Sequence, residues 1–126
     1  MELPDSLHYT KDHEWIKPDG KSATVGITDF AQGELGDIVF IEINTIGQDI
    51  AQGEPFGSVE AVKTVSDLFM PLSGKVVELN PALERNPEKV NKDPYGEGWI
   101  IKIEIKEGAD NDHLLTAAQY RELIEG

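Results

Sequence analysis

The chain has 126 residues, with 24 acidic and 11 basic side chains and a formal net charge of −13. This charge repels phosphate backbones and anionic lipid surfaces, so we expect neither nucleic acid nor a membrane as a partner. The chain has no cysteine, which excludes disulfides, thiolate metal sites and cysteine nucleophiles. Its length fits one domain spanning residues 1–126.

The acidic residues are dispersed along the chain rather than grouped in blocks. They form either an ordinary solvated surface or a surface that steers the protein towards basic patches on partner enzymes. Residues 1–5 lack the basic start and apolar core of a signal peptide, and no apolar run is long enough to cross a bilayer. We therefore expect a cytoplasmic protein.

Turn residues and alternating side chains in the first fifty positions predict short strands and one helix. Residues 14–17 and 22–27 predict a hairpin, because proline and glycine lie between them. Thr28 is placed to cap a short helix that ends near Gly33 or Gly36. Two further strands are predicted at residues 38–43 and 49–50.

A single lysine separates two strand-like runs in the middle of the chain. Residues 56–62 and 65–70 are rich in small and β-branched side chains with a period of two, and Pro71 ends the second run. Lys63 is therefore predicted at the tip of a tight hairpin, where an enzyme can reach and modify its amine. The alternative is an ordinary solvated surface lysine.

Helix-start signals follow the next predicted strand, at residues 74–79. Asn80 is a suitable N-cap, and Pro81 suits the first position of a helix. The same pair of signals recurs at Asn86, so this region is predicted to form two short helical turns rather than one long helix.

The last third of the chain predicts one clear strand and a terminal helix. Residues 99–105 alternate apolar and charged side chains. Thr116 and Gln119 form a capping box for a helix over about 116–124. The many short strands predict a mainly β fold, a flattened barrel or small sandwich with short helices, whose core spans about residues 7–106.

No motif in the chain predicts a self-sufficient active site. Asp110 and Asp112 lie in a short acidic stretch, but Leu115 occupies the position where a calcium loop needs glycine, so this stretch is interpreted as a polar loop. The three histidines lack the spacing of a zinc site, and His13 is assigned a structural hydrogen bond. No nucleophile and base lie near each other in the sequence, so we expect a protein without catalytic activity of its own.

The turn, strand, lysine, strand, turn arrangement resembles the lipoyl and biotinyl carrier domains, in which the modified lysine occupies such a hairpin. Biotin carriers have a Met-Lys-Met triplet, whereas this chain has Val62-Lys63-Thr64. Lipoyl domains of 2-oxoacid dehydrogenases have an aspartate immediately before the lysine, whereas this chain has Val62 at that position. The chain instead resembles the glycine cleavage H proteins.

Blocks in the order typical of that family carry the resemblance over roughly residues 7–124. They are residues 13–15, 25–29, 36–40, 57–60, 63–67, 71–74, 86–87 and 93–99. Many blocks in register form a more specific signal than one short motif. Asp12 and Glu34 depart from the pattern, because family members often carry serine and histidine there.

The resemblance implies a carrier that bears lipoate as an amide on Lys63 and acts as a monomer. Its arm would meet glycine decarboxylase, aminomethyltransferase and dihydrolipoamide dehydrogenase in turn, passing the aminomethyl group of glycine to tetrahydrofolate. A lipoyl-protein ligase or octanoyltransferase would modify the lysine, with Glu60 as the carboxylate that orients it. The alternatives are an H-like paralogue that relays lipoyl or octanoyl groups to other proteins, an enzyme with an unrecognised acidic site, and an interaction module.

The resemblance also implies a pocket for the loaded arm, whose protonated amine is a cation. Glu14 and Asp67 would hold that amine, with Thr64 and Ser66 as polar neighbours. The alternative is that Glu14 faces solvent on its strand and that Asp67 orders the hairpin.

Overall fold

A computed structural model describes residues 2–125, in which short antiparallel strands form two sheets. The strands are β1 (His8–Tyr9), β2 (Glu14–Asp19), β3 (Ser22–Ile27), β4 (Ile38–Glu42), β5 (Asp49–Ile50), β6 (Pro55–Ala61), β7 (Val65–Phe69), β8 (Gly74–Leu79) and β9 (Ile101–Ile105). The helices are α1 (Asp29–Leu35), α2 (Lys89–Lys92) and α3 (Ala117–Glu125), and a 3-10 turn covers Pro81–Glu84.

The two sheets face each other without closing into a barrel. The larger has six strands in the order β1-β2-β3-β9-β8-β5, and the smaller has three in the order β4-β6-β7. Successive side chains of a strand point to opposite faces, so every second side chain of each strand lies on the inner face. The buried side chains of this core include Ile16, Val25, Val76, Ile101 and Ile103 from the larger sheet, and Ile41, Val59 and Leu68 from the smaller. The predicted mainly β sandwich with short helices and a C-terminal helix is confirmed.

A second cluster of buried aromatic side chains lies beneath the C-terminal helix. Tyr9, Trp15 and Tyr120 are almost completely buried there. The rings of Tyr9 and Tyr120 stack with their centroids 5.0 Å apart. This cluster fixes α3 against the edge of the larger sheet, next to the start of β2.

The helix caps predicted at Thr28, Asn80 and Thr116 are those that the structure shows. The start predicted at Asn86 is wrong: α2 begins at Lys89, and its N-cap residue Glu88 makes no side-chain capping hydrogen bond. The Thr28 side chain accepts a hydrogen bond from the first turn of α1, and Gly36 ends that helix at a φ of 79°. Asn80 caps the 3-10 turn in the same way. The backbone N–H of Thr116 donates to Gln119 Oε1 at 2.9 Å, and the N–H of Gln119 donates to Thr116 Oγ1 at 3.2 Å. This reciprocal pair is the predicted capping box.

The structure differs from the sequence prediction at two strands. β1 was not predicted, because two residues are too short for a pattern, and its pairing to β2 and to Leu115 is non-local. The strand predicted from residue 99 begins at Ile101. Ile100 is fully buried although the alternation places it on the solvent side. Its N–H donates to Val25 O at 2.9 Å, so the chain enters β9 with a local irregularity.

Candidate functional site

Lys63 lies at the tip of the hairpin that joins β6 and β7. The N–H of Ala61 donates to Thr64 O at 2.8 Å and closes this turn. The N–H of Val62 donates to Asp37 O at 3.0 Å, which ties the tip to the segment after α1. Val62, Lys63 and Thr64 are all exposed. The hairpin therefore presents the lysine on an ordered turn.

The aliphatic part of the Lys63 side chain lies over Gly36. A Cβ atom at Gly36 would lie 3.4 Å from Lys63 Cε. The Gly36 carbonyl accepts a hydrogen bond from Asn91 Nδ2 at 2.8 Å, and Asn91 Oδ1 accepts one from Ile38 N at 3.0 Å. Neither of the two ion pairs found within residues 2–125 involves Lys63. Sequence reasoning did not identify Asn91, because its contacts lie more than fifty residues away along the chain.

Glu14, at the start of β2, is a buried acid that is only 2% exposed as a residue. Its Oε1 accepts a hydrogen bond from Thr10 Oγ1 and its Oε2 accepts one from the N–H of Phe69, both at 3.0 Å. Burial raises the pKa of Glu14 to about 8, because loss of water disfavours the carboxylate more than the two hydrogen bonds favour it. The alternative that Glu14 faces solvent is wrong.

Glu14 lines a cavity of about 490 Å³ between α1, the start of β2 and the lysine hairpin. The cavity has apolar walls and is acidic, because four of its lining residues are Asp or Glu and none is lysine or arginine. The lining residues are Asp12, His13, Glu14, Ile27, Phe30, Ala31, Glu34, Leu35, Val59, Ser66, Asp67 and Leu68. Such a cavity suits a ligand with an apolar body and a cationic end.

Some of the residues proposed for an arm pocket meet at this cavity and others do not. Ser66 and Asp67 line it together with Glu14, and both are exposed on the edge strand β7. Thr64 is exposed on the hairpin turn and is not part of the lining. Glu60 is also outside the cavity; it is exposed on β6. The cavity thus combines carboxylates from β2 and β7.

α1 supplies apolar walls that sequence reasoning did not assign to the site. Phe30, Ala31 and Leu35 line the cavity from one side of this helix. Ala31 and Leu35 are four positions apart, so they share one helix face. That spacing was the available signal, but a seven-residue helix gives too short a pattern to identify its partner.

His13 connects the cavity wall to the C-terminal helix. Its Nδ1 lies 2.8 Å from the hydroxyl of Tyr120, which lies 2.8 Å from Thr28 Oγ1. Burial lowers the pKa of His13 and raises that of Tyr120 to about 12. The structural hydrogen bond predicted for His13 is confirmed. His13 has a φ of 69° and lies immediately before Glu14.

Residues 2–125 provide neither a metal-binding group of side chains nor a membrane-spanning helix. Residues 2–125 contain no group of three or more metal-ligating side chains placed to hold an ion. Within the same range, no helix is long and apolar enough to span a bilayer. The N–H of Asp112 donates to Asp110 Oδ1 at 2.8 Å, which is the ordinary geometry of a polar turn.

Comparisons with known proteins show the family of the chain. The family model described as glycine cleavage H-protein matches residues 7–126. The chain is 56% identical to the glycine cleavage system H protein of Bacteroides fragilis over 124 residues, which is 98% of each chain. It is 59% identical to that of Chlorobium limicola, again over 98% of each.

A solved structure shows the same fold. The crystal structure of a glycine cleavage system H protein from Mycobacterium marinum superposes with a TM-score of 0.86 at 40% identity, covering 98% of this chain and 100% of that one. These relatives are named for glycine cleavage, so the alternative of an acyl-relay paralogue is not favoured. The chain belongs to the glycine cleavage H-protein family, which is a family of lipoyl carrier proteins.

Proposed function

We propose that the chain carries lipoate as an amide on Lys63 and shuttles the aminomethyl group of glycine between enzymes. The observation that carries this proposal is the exposed Lys63 on a fixed turn, near an acidic cavity lined by the buried Glu14. When bound, lipoate supplies a cyclic disulfide that is easily opened, because its ring cannot reach the preferred torsion near 90°. Amide formation also removes the charge of the lysine.

The residues of the cavity fit the end of such an arm. The apolar walls from α1, β6 and β7 suit a hydrocarbon chain, and the four carboxylates of Asp12, Glu14, Glu34 and Asp67 suit a protonated amine. Glu14 is the buried member of this set. An adjacent cation favours its ionised form, so a docked amine and the Glu14 carboxylate stabilise each other where water is excluded. Ser66 adds a hydroxyl at the cavity edge.

The remaining site residues act at the lysine rather than at the cavity. Glu60, three residues before Lys63 and exposed on β6, is proposed as the carboxylate that a lipoyl-protein ligase or octanoyltransferase recognises. Thr64 closes the turn through its carbonyl oxygen. The chain supplies no paired nucleophile and base at the hairpin, so the proposed role is that of a carrier without catalysis of its own.

The proposed partners follow from the cargo. A pyridoxal-phosphate-dependent glycine decarboxylase would load the carrier, a tetrahydrofolate-dependent aminomethyltransferase would unload it, and dihydrolipoamide dehydrogenase would reoxidise it. Because a monomeric carrier must leave each enzyme to reach the next, these contacts are expected to be small and transient. The proposal keeps the cytoplasmic location expected from the sequence.

Intact-protein mass spectrometry tests the attachment site. The chain, co-expressed with a lipoate-protein ligase and supplied with lipoate, should gain the mass of one lipoyl group. Lys63→Arg should abolish the gain, while Lys75→Arg and Lys102→Arg should retain it. Lys75 and Lys102 are matched controls, because both lie in strands with a glutamate paired opposite them. An adduct that persists in Lys63→Arg, or an unmodified wild-type chain, would refute the assignment.

A further inference from the structure

The outer face of the three-stranded sheet carries a row of side chains that runs across it beside Lys63. Phe40 on β4 pairs with Glu60 on β6, and Glu60 pairs with Val65 on β7. Directly paired residues point to the same face of a sheet, so the row alternates apolar, acidic and apolar side chains. Phe40 is 51% exposed and Val65 is 65% exposed. Val62, at the hairpin tip, is 76% exposed.

The exposed apolar side chains are unevenly distributed over the molecule. Of the seven large apolar side chains exposed within residues 2–125, four lie on β4 or around the lysine turn. They are Val39, Phe40, Val62 and Val65. The opposite face of the same sheet is already buried in the core through Ile41, Val59 and Leu68, so the core does not account for the outer row. Exposed apolar side chains grouped on one face are a feature of interaction surfaces.

We propose that the row Phe40, Glu60 and Val65, with Val62 at its margin, is the docking surface of the enzyme that acylates Lys63. This inference rests on the proposed function. The acylating enzyme must bring its active site to Lys63 Nζ itself, one side chain away from the backbone of the tip. Enzymes that use the finished arm react at its far end and have no such need to cover the tip. Glu60 lies three residues before Lys63 and Val65 lies two residues after it, so an enzyme at Nζ covers the row.

The chemistry of the row specifies the partner. Glu60 is its only charged member, and apolar side chains flank it on both neighbouring strands. Docking of an apolar surface therefore removes water from Glu60 and requires an arginine or lysine opposite it. Glu42 and Ser58, in the next row, add one further carboxylate at the rim. The surface thus fits an acyltransferase with an apolar docking face, a cation at its centre and a basic edge.

Two other lysines, Lys75 and Lys102, lie in strands without a neighbouring apolar row. Lys75 pairs with Asp49 on one side and Glu104 on the other. Lys102 pairs with Thr24 and Glu78. Neither has apolar side chains in the flanking strand positions. An enzyme that recognises an apolar row around a single acid therefore selects Lys63.

The reaction that follows docking is an acyl transfer. The neutral Lys63 amine attacks the carbonyl carbon of an activated acyl donor that the enzyme supplies, an acyl adenylate or an acyl thioester. The C–N amide bond forms, the bond from the carbonyl carbon to the leaving group breaks, and one proton leaves the nitrogen. The row takes no part in these steps; it positions the lysine, so its loss is expected to weaken binding more than turnover.

Steady-state acylation kinetics of the full chain test the proposal, with a purified lipoate-protein ligase, ATP and lipoate. Phe40→Ser and Val65→Thr should each raise the KM for the unmodified chain about tenfold, as expected for loss of a buried apolar anchor, with a much smaller change in kcat. Glu60→Gln should act in the same direction. Val77→Thr is the matched control, because Val77 is an exposed valine on β8 of the other sheet, and it should leave KM unchanged. Thermal unfolding confirms that each variant is folded.

A second measurement separates the acylating enzyme from other occupants of the same face. Variants driven to full lipoylation by prolonged incubation should support reduction by dihydrolipoamide dehydrogenase and loading by glycine decarboxylase with wild-type KM values. Equal losses with those enzymes would overturn the proposal, because the row would then be a general docking surface. An unchanged acylation KM in folded Phe40→Ser and Val65→Thr would overturn it as well. Failure of the wild-type chain to be acylated on Lys63 would instead remove the proposed function, and this inference with it.

Discussion

The carboxylate of Glu14 accepts a hydrogen bond from the backbone N–H of Phe69 across 3.0 Å, which joins the larger sheet to the strand that follows the lysine. β7 is an edge strand, so this N–H has no neighbouring strand to bind on that side. Thr10 holds the other carboxylate oxygen. Glu14 therefore has a structural task at the cavity in addition to the proposed one, and its burial raises its pKa to about 8.

This raised pKa predicts that stability depends on pH. Between the ordinary glutamate value of 4.5 and about 8, the folded chain keeps a proton on Glu14 that the unfolded chain has lost. The free energy of unfolding therefore contains a penalty that is absent below the lower value and grows as pH rises to about 8. Above that pH both states are ionised at this position, and the penalty stays constant.

Glu14→Gln isolates this effect, because the amide keeps the shape and can still bond to Thr10 and to the Phe69 N–H. The free energy of unfolding of the variant relative to wild type should increase from about pH 5 to about pH 8 and then level off. Urea unfolding at a series of pH values measures the difference. A difference that does not change with pH would contradict the raised pKa of Glu14.

The cavity also predicts the lifetime of the carrier's cargo. An aminomethyl group bound through sulfur loses its amine in water, so docking against Glu14 and Asp67 should slow that loss. Glu14→Ala and Asp67→Ala should therefore release ammonia and formaldehyde severalfold faster from the loaded carrier when the transferase is absent. Asp19→Ala, which removes an exposed carboxylate at the end of β2, is the control. Unchanged lifetimes in both cavity variants would exclude the cavity as the docking site.

Local signals in the sequence predicted most elements of the fold, and non-local contacts account for what they missed. The caps at Thr28 and Thr116 and the turn around Lys63 depend on residues within a few positions, so their chemistry is visible in the sequence. The burial of Glu14 depends on Phe69, fifty-five positions later. An alternating pattern cannot show that an acid at the start of a strand is enclosed by a second sheet.

The candidate site also combines features that local sequence signals predict with features that depend on non-local contacts. Lys63 was placed from the hairpin pattern, whereas the apolar walls contributed by α1 and the support from Asn91 arise only when distant segments pack together. Asp12 and Glu34 both line the cavity and add to its negative charge. Their proximity to Glu14 follows from the fold and could not be inferred from their spacing.

The net charge of −13 predicts that ionic strength controls how fast the carrier meets its enzymes. Long-range attraction to basic patches raises association rates, and salt screens it over about 10 Å at moderate ionic strength. The apparent KM of each enzyme for the lipoylated carrier should therefore rise with added salt, with little change in kcat. A neutral dihydrolipoamide analogue serves as the control substrate, because it lacks the protein surface. A KM for the carrier that does not depend on salt would exclude electrostatic steering.

Two glycines of the segment that supports Lys63 predict stability changes of opposite sign. Gly33 lies inside α1 with no heavy atom within 4 Å of an added Cβ. Gly33→Ala should therefore stabilise the fold by about 0.5–1 kcal/mol, because alanine favours the helix and restricts the unfolded chain. Gly36 has a φ of 79°. Gly36→Ala should destabilise the fold by about 1–2 kcal/mol, because a side chain disfavours this conformation.

Urea unfolding of both alanine variants measures these changes under one condition. The pair is well matched, since each adds a single methyl group to the same short segment. Gly36→Ala should also slow acylation of Lys63, because the N–H of Val62 at the hairpin tip is bonded to the carbonyl of Asp37, the residue that follows Gly36. Gly33→Ala should leave acylation unchanged. A Gly36→Ala variant as stable as wild type would show that the end of α1 does not need the positive φ of Gly36, and a destabilised Gly33→Ala variant would contradict the expectation for the helix interior.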